Sequence, residues 1–141
     1  MSVINPYLTF TGNCEEAFNY YKSVFGGEFA SIQRFGEMPP QEGYPVSESD
    51  KSKIMHVSLP ISKETILMGS DAGEKMNPSI IQGSNFTLSV NTESKQEADR
   101  IFNDLSKGGK VSMPMENTFW GSYFGMCIDQ FGISWMVSFG E

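Results

Sequence analysis

An internal repeat constrains the fold of this chain more than any other feature of its sequence. The order strand, helix, Gly-Gly, strand and hairpin occurs twice within the 141 residues. The first copy spans about residues 3–71, the second spans about residues 84–139, and residues 72–83 are predicted to link them. Such self-similarity indicates one structural unit used twice. The sequence therefore predicts a single α+β domain, residues 1–141, that contains two tandem βαβββ modules.

The alignment of the two copies also matches individual residues. The first strands align from Asn5 (NPYLTF) and from Asn85 (NFTLSV), and the last strands place Met68 opposite Met136. Apolar and polar side chains alternate in each first strand, which is typical of a strand with one buried face. The helix is expected to cover the apolar face, so the polar face is free to line a cavity between the modules.

Both copies contain a helix with a recognisable beginning and end. Asn13 with Glu16, and Ser94 with Glu97, have the spacing of a capping box at a helix N-terminus. Apolar residues then recur at helical spacing and predict one buried face on each helix. These residues are Ala17, Phe18, Tyr21, Val24 and Phe25 in the first copy, and Ala98, Ile101, Phe102 and Leu105 in the second. A Gly-Gly pair follows each helix, where glycine commonly ends one.

The remaining segments are predicted to be strands, turns and one long loop. Strands are expected at residues 3–10, 28–35, 53–61, 65–70, 85–91 and 110–115, and in a final aromatic hairpin within residues 118–139. The turn of that hairpin runs from Asp129 to Gly132, with Asp and Gly where turns favour them. Residues 36–52 are rich in Pro, Gly, Ser and Glu and are too long for an ordinary connection. They are predicted to form either a mobile lid or a disordered loop.

Charge and composition narrow the class of partner. The net charge of −7 and the pI of about 4.7 disfavour binding to nucleic-acid phosphates and favour a cationic ligand. The two cysteines, Cys14 and Cys127, lie far apart and are expected to be reduced thiols. No apolar run approaches the roughly 20 residues of a membrane span, and the N-terminus lacks the pattern of a signal peptide. We therefore expect a cytoplasmic protein with no nucleic-acid or membrane partner.

Four segments carry a resemblance to a known family. They are AFNYYKSVFGG from Ala17, FGEMP from Phe35, TFWG from Thr118 and DQFGISW from Asp129. Together with the duplicated βαβββ plan, they make the chain similar to the PhnB-like branch of the vicinal oxygen chelate superfamily, also called the glyoxalase/bleomycin-resistance/dioxygenase fold. The resemblance covers essentially the whole chain. PhnB-like domains are often labelled as related to a 3-demethylubiquinone methyltransferase, but this sequence has no glycine-rich strand-to-helix turn for the usual methyl donor.

The resemblance implies both an architecture and the location of a site. Each module is expected to curl its mixed sheet into a half-barrel, so that the pair surrounds a central cavity, and a homodimer is expected. Metalloenzymes of the superfamily hold a divalent metal on His or Glu residues of the first and last strands. Carried over by position, those sites fall on Asn5 (or Pro6, without a gap), Met68, Asn85 and Met136. Amides and thioethers are poor ligands for Mg²⁺, Mn²⁺ or Zn²⁺, so we expect no metal and no cofactor.

Other candidate residues each have a structural alternative. His56, the only histidine, and Tyr7 are candidates for acid–base work or ligand contact on the cavity side, whereas His56 could equally be a structural residue. Trp120 could stack on a flat ligand, plug the core or contact a second copy. Trp135 is predicted by alternation to lie in the core. Arg34 is either an anion contact or a solvated charge.

These observations support three hypotheses about function. The first is a small-molecule binding protein without metal, with residues 36–52 as a gate and a cationic or polar aromatic ligand. Its ligand-binding residues are predicted to be Asn5, Tyr7, His56, Met68, Asn85, Trp120, Tyr123 and Met136. The second is a lyase, isomerase or dioxygenase of the same fold that uses His56 and Tyr7 or an atypical metal site. The third is a non-catalytic regulatory or structural dimer.

Overall fold

The repeat in the sequence is a repeat in the structure. The computed structural model describes residues 2–39 and 46–140. The chain divides into two compact units, Met1–Ile81 and Gln82–Glu141. Each unit contains one strand, one α-helix and three further strands, in that order. The prediction of an α+β fold built from two βαβββ modules is therefore confirmed, and neither sheet closes into a barrel.

The two units have these helices and strands. In the first, β1 is Tyr7–Phe10, α1 is Cys14–Phe25, β2 is Ser31–Arg34, β3 is Ile54–Pro60 and β4 is Ile66–Asp71, with short 3₁₀-helices at Phe35–Glu37 and Asn77–Ser79. In the second, β5 is Leu88–Thr92, α2 is Lys95–Ser106, β6 is Lys110–Asn117, β7 is Tyr123–Ile128 and β8 is Ser134–Phe139. The final hairpin thus consists of β7 and β8, as its alternation predicts.

Both sheets have the same topology. The strand order is β1-β4-β3-β2 in the first and β5-β8-β7-β6 in the second. The first and last strands of each unit pair in parallel, and the other pairs are antiparallel. The shared order gives every strand position in one unit an equivalent in the other.

The register of the parallel pairs corrects the alignment of the first strands. Tyr7 pairs with Met68, and Ser89 pairs with Met136. The equivalent of Tyr7 is therefore Ser89, two positions beyond the residue that the sequence alignment matched with it. That alignment, which paired Asn5 with Asn85, is wrong because it used the identity of two asparagines that both precede their strands. The match of Met68 with Met136 agrees with the register.

The helix of each unit covers one face of its sheet, and the core lies between them. In the first unit this layer contains the buried side chains of Leu8, Phe10, Ala17, Phe18, Tyr21, Val57, Leu59 and Leu67. The helix lies close to the sheet, because a Cβ atom at Gly69 would come within 2.6 Å of the Phe18 ring. Burial of such apolar surface, at about 25 cal/mol per Å², is the main driving force for folding. In the second unit Trp135 and Val137 are buried, which confirms the core position predicted for Trp135.

The strand boundaries differ from the sequence prediction in both units; in the second, β5 begins at Leu88 instead of residue 85 and β6 ends at Asn117 instead of residue 115. The first strand begins at Tyr7 instead of residue 3, and Ile4, predicted to be on its buried face, is 96% exposed. The second strand is shorter than the predicted 28–35, because the chain turns into a 3₁₀-helix at Phe35. Of the long loop, residues 40–45 lie outside the described residues, and residues 46–53 form turns and bends before β3. The prediction of a lid at 36–52 therefore stays a prediction.

The described part of the chain contains no helix that is long and apolar enough to cross a membrane.

Candidate functional site

Each sheet has a second face that the helix of its own unit does not cover, called here the open face. Strand alternation and pairing place Tyr7, Thr9, Ser31, Ser58, Met68 and Ser70 on the open face of the first sheet. They place Ser89, Asn91, Met113, Met126, Met136 and Ser138 on that of the second. Hydroxyl, amide and thioether groups therefore dominate both open faces.

Three of the predicted ligand-binding residues lie together on the open face of the first sheet. Tyr7 is paired with Met68, and its ring stacks on that of His56, with 5.8 Å between centroids and 29° between planes. The Tyr7 hydroxyl lies 3.4 Å from His56 Nδ1. That separation is long for a hydrogen bond, and which atom donates depends on the histidine tautomer. The pair therefore offers a ligand an aromatic surface and two groups that can each give or take a proton.

The two predicted asparagines are not on the strands that bear this face. Asn5 precedes β1, and its amide oxygen accepts a hydrogen bond from the backbone N–H of Ile66 at 3.0 Å. That bond attaches the chain before β1 to the beginning of β4. Asn85 precedes β5 and is exposed. The structure therefore groups Tyr7, His56 and Met68 without either asparagine.

The open-face positions of the first and last strands do not fit the metal that the superfamily's enzymes hold. These positions are occupied by Tyr7 and Met68 in one unit and by Ser89 and Met136 in the other. Hard divalent cations prefer carboxylates, and Zn²⁺ prefers imidazole or thiolate, so a phenol, a hydroxyl and two thioethers form a poor donor set. Over residues 2–39 and 46–140, no three His, Cys, Asp or Glu side chains form an alternative cluster.

Methionine forms a row across the open face of the second sheet. Met136 pairs with Met126, and Met126 pairs with Met113 on the next strand. Thioether side chains are flexible and polarizable, so they adapt to apolar groups of different shape. At the equivalent positions of the first sheet Met68 pairs with Ser58, and Ser58 pairs with Ser31. The two open faces have thus diverged in chemistry while keeping one topology.

Trp120 lines a shallow cavity of about 570 Å³ in the second unit. Its ring is 52% exposed, its indole N–H donates to the Ser122 hydroxyl at 3.0 Å, and its edge meets the ring of Phe124 with 6.0 Å between centroids. On the opposite wall, the Ser138 hydroxyl donates to the amide oxygen of Asn91 at 2.7 Å. The amide nitrogen of Asn91 then has no partner among the described residues. The cavity therefore combines an aromatic wall with an available N–H donor.

Tyr123 lies on the other side of the second sheet. Its hydroxyl donates to the Asp99 carboxylate of α2 at 2.6 Å, and Lys95 Nζ lies 4.9 Å from its ring centroid. The hydrogen bond to Asp99 raises the pKa of Tyr123. Tyr123 therefore attaches the strand to its helix and does not share a face with Met136.

Arg34 is engaged within its own unit. Its guanidinium donates two hydrogen bonds to the Glu15 carboxylate, at 2.6 and 3.0 Å, and a third to the carbonyl of Ser52 at 3.1 Å. The hydrogen bond from Arg34 lowers the pKa of Glu15. Of the two alternatives predicted for Arg34, anion contact or solvated charge, the structure shows a third: a link between β2 and the first turn of α1.

Sequence reasoning missed the residues that accompany Trp120. Asn91, Phe124 and Ser138 line its cavity, but each lies in a strand with no local motif to mark it. The signal that could have found them is alternation from Met136: Ser138 lies two residues further along β8 and faces the same way. Asn91 then follows from its pairing with Ser138.

The fold is that of the glyoxalase/bleomycin-resistance/dioxygenase proteins. A family enzyme of this kind from Burkholderia phytofirmans superimposes with a TM-score of 0.61 at 15% identity, covering 94% of this chain and 95% of that one. A family model described as 3-demethylubiquinone-9 3-methyltransferase matches residues 2–138. The chain therefore belongs to that family, which is PhnB-like, as the resemblance predicts.

Close relatives agree with this assignment. Protein YjdN of Escherichia coli K12 is 35% identical over 141 residues, 96% of this chain and 93% of its own. The crystal structure of protein PA1353 from Pseudomonas aeruginosa is 39% identical, with a TM-score of 0.81 and coverage of 99% and 98%. A PhnB protein from Bacillus cereus is 26% identical, with a TM-score of 0.72 and coverage of 99% and 100%.

Proposed function

We propose that this protein binds a small organic molecule on the open faces of its sheets, without the metal of the related metalloenzymes. The observation that carries this proposal is the group formed by Tyr7, His56 and Met68. Tyr7 and His56 contact each other and have no other hydrogen-bond partner within the described residues. Polar and aromatic side chains that lie together and make no hydrogen bond to the rest of the protein are typical of ligand sites.

The chemistry of the second open face supports the same class of ligand. The cavity beside Trp120, at about 570 Å³, falls within the ~300–1,000 Å³ range of small-molecule sites. An indole face suits a flat ring, and the Asn91 amide suits a polar substituent on it. With a net charge of −7, the protein favours a cationic or polar aromatic compound over an anionic one. The proposal includes the cytoplasmic location and the homodimer that the sequence and the resemblance imply.

We do not extend the family's description to methyl transfer. At the turn from β1 into α1, the N–H groups of Gly12 and Cys14 both donate to the Asp71 carboxylate at 2.9 Å. In cofactor-binding proteins, the N–H groups of such a turn commonly bind an anionic part of the cofactor. Here they are already bonded to Asp71 and are not free to do so. The turn from β5 into α2 contains Glu93 and Ser94 and no glycine.

A thermal-shift screen of organic cations and polar aromatic compounds tests the proposal. A ligand that binds the folded protein raises its Tm by mass action. We expect the shift to disappear in His56→Ala and to weaken in Tyr7→Phe, while Tyr123→Phe, on the helix-covered side, keeps it. A full shift in both His56→Ala and Trp120→Ala would place the site elsewhere.

Catalysis by the same pair is the alternative that one observation favours. The Tyr7 hydroxyl and His56 Nδ1 lie 3.4 Å apart, so two groups capable of acid–base work would face one bound compound, which suits an isomerase or a lyase. Under this alternative, a bound compound is converted by the wild type, and His56→Gln binds it without conversion. Binding with no turnover by the wild type would favour the binding protein.

A further inference from the structure

We propose that a second cavity, in the first unit, binds an organic cation with an apolar body. This cavity has a volume of about 650 Å³, within the ~300–1,000 Å³ range of small-molecule sites. Its apolar wall is formed by Phe35, Met38, Val46, Met76 and Ile80. Tyr7, His56 and Met68 do not line it, so this site is separate from the one proposed above.

A network of hydrogen bonds builds one end of this cavity. The Asp50 carboxylate accepts from Lys53 Nζ at 2.9 Å and from the backbone N–H of Glu74 at 3.1 and 3.2 Å. The hydroxyls of Ser47 and Ser49 donate to Glu74 Oε2 at 3.2 and 2.7 Å. These bonds hold the segment before β3 against the segment after β4, and they fix the Glu74 carboxylate at the cavity.

The carboxylates at this end of the cavity differ in their partners. Asp50 is paired with Lys53, whose hydrogen bond is the largest cause of the lowered pKa of Asp50. Asp71 directs both carboxylate oxygens at backbone N–H groups. Lys75 also lines the cavity, but no described residue forms an ion pair with Glu74. Glu74 therefore has no cationic partner among the described residues, and its second oxygen, Oε1, can accept from a ligand.

The second unit provides an internal comparison. Thr9, which lines this cavity, pairs with Ser70, and Asn91, which lines the Trp120 cavity, pairs with Ser138. The two cavities thus lie at the same place in the two repeated units. Among residues 46–140, no charged residue lines the Trp120 cavity, whereas Asp50 and Glu74 line its counterpart. One position in the fold has therefore become an aromatic, neutral site in one unit and an apolar, acidic site in the other.

Three probes with one apolar body test the proposal: 4-phenylbutylammonium, 4-phenylbutanol and 4-phenylbutyrate, titrated into the full chain by calorimetry. We expect the ammonium to bind at least about tenfold more tightly than the alcohol, and the carboxylate to bind most weakly. Glu74→Gln should lower the affinity for the ammonium to that of the alcohol. Glu64→Gln, an equal charge change in the exposed turn between β3 and β4, should leave it unchanged.

Two further outcomes decide between this cavity and the Tyr7–His56 pair. Ile80→Trp should lower the affinity for all three probes, because the larger side chain occupies space in the cavity. His56→Ala should lower the affinity for none of them. Equal affinity for the three probes, absence of ammonium binding, or a charge preference that survives in Glu74→Gln would overturn the proposal. Loss of ammonium binding in His56→Ala alone would assign the probe to the Tyr7–His56 pair instead.

Discussion

One buried carboxylate in each unit accepts several hydrogen bonds, from distant segments at Asp71 and from its own hairpin at Asp129. The Asp71 side chain accepts from the backbone N–H groups of Gly12, Cys14 and Ile54, each at 2.9 Å, and so joins the end of β4 to α1 and β3. In the second unit, Asp129 accepts from Phe131 N–H and from the indole N–H of Trp135, both at 2.8 Å. The role of Asp71 is not visible in the local sequence, where it lies between a predicted strand and the predicted linker, whereas the contacts of Asp129 belong to the turn that the sequence predicts.

Replacing Asp71 with Asn should be strongly destabilising. An amide has one acceptor oxygen, so at least one of the three N–H groups would lose its partner or face the new NH₂ group. An unsatisfied buried donor costs about 1–3 kcal/mol, and we expect a total loss of about 2–4 kcal/mol. Urea denaturation measures it, with Asp104→Asn as the control, at a partly exposed position of α2 where, within the described residues, the carboxylate bonds only to the Arg100 guanidinium, at 3.4 Å. A loss no larger than in the control would contradict this role.

The Glu15–Arg34 pair should make a small, pH-dependent contribution to stability. The pKa of Glu15 is lowered in the folded protein, mainly by its hydrogen bond from Arg34, from an ordinary value of 4.5. The contribution is therefore complete above pH 4.5 and is lost as the pH falls through the lowered pKa. Both side chains are partly exposed, so solvent screening limits it to about 0.2–1 kcal/mol.

Comparison of Glu15→Gln with Glu16→Gln isolates this pair. Both substitutions remove a carboxylate from the first turn of α1, where a negative charge favours the helix. Only the first also removes the contact with Arg34. We expect Glu15→Gln to be the less stable variant at pH 7 and the two to converge as the pH falls through the lowered pKa of Glu15, which thermal denaturation over a series of acid pH values would show. A difference that persists at the lower pH would argue against the ion pair as its source.

The two helices begin in different ways, although both sequences have a capping-box pattern. At α2, the Ser94 hydroxyl accepts from Glu97 N–H at 3.0 Å, as the pattern predicts. At α1, the side chain of Asn13 makes no capping hydrogen bond. The Asp71 carboxylate accepts from Cys14 N–H instead. A side chain from β4 thus satisfies the first N–H group of α1, whereas the N–H group of Glu16, to which the capping-box pattern points, receives no bond from Asn13.

This difference predicts unequal effects of the two N-cap substitutions. Ser94→Ala removes a hydrogen bond to an otherwise unpaired N–H group and should cost about 1 kcal/mol. Asn13→Ala removes no capping bond and should cost less than about 0.5 kcal/mol, since Asp71 remains in place. Denaturant midpoints of the two variants provide the measurement, and each serves as the control for the other. Equal losses would mean that the Asn13 amide does cap α1 in solution.

The sequence was sufficient to predict the elements and insufficient for their register. Periodicity and Gly-Gly pairs predicted both helices, because these signals act over neighbouring residues. The pairing of Tyr7 with Met68 depends on contacts between residues that are distant in the chain, and two asparagines at matching positions misled the alignment. For the same reason Asn91 and Phe124 were missed as neighbours of Trp120, although alternation had placed Met136 correctly.

At the scale of the whole molecule, the two sheets share one strand order but have open faces of different chemistry. The first unit presents Tyr7 with His56 and pairs Met68 with serine, while the second presents Met136 in a row of methionines. A duplicated unit that retains its strand order can change its open-face residues freely, because the core lies on the other side of each sheet. The positions that hold metal in related enzymes belong to this variable set.

Metal independence is the prediction that tests this interpretation of the molecule. Because Tyr7, Met68, Ser89 and Met136 form a poor donor set, we expect dialysis against EDTA to leave the Tm unchanged and added Mn²⁺ or Zn²⁺ not to raise it.

A positive control for metal binding can be built within the first sheet. Tyr7 and Met68 face each other on parallel strands, so Tyr7→His combined with Met68→His places two imidazoles side by side. Zn²⁺ should then stabilise that variant by about 1–3 kcal/mol when it exceeds its Kd about 10- to 100-fold. A Tm of the wild-type protein that falls with EDTA and recovers with one equivalent of a divalent metal would contradict metal independence.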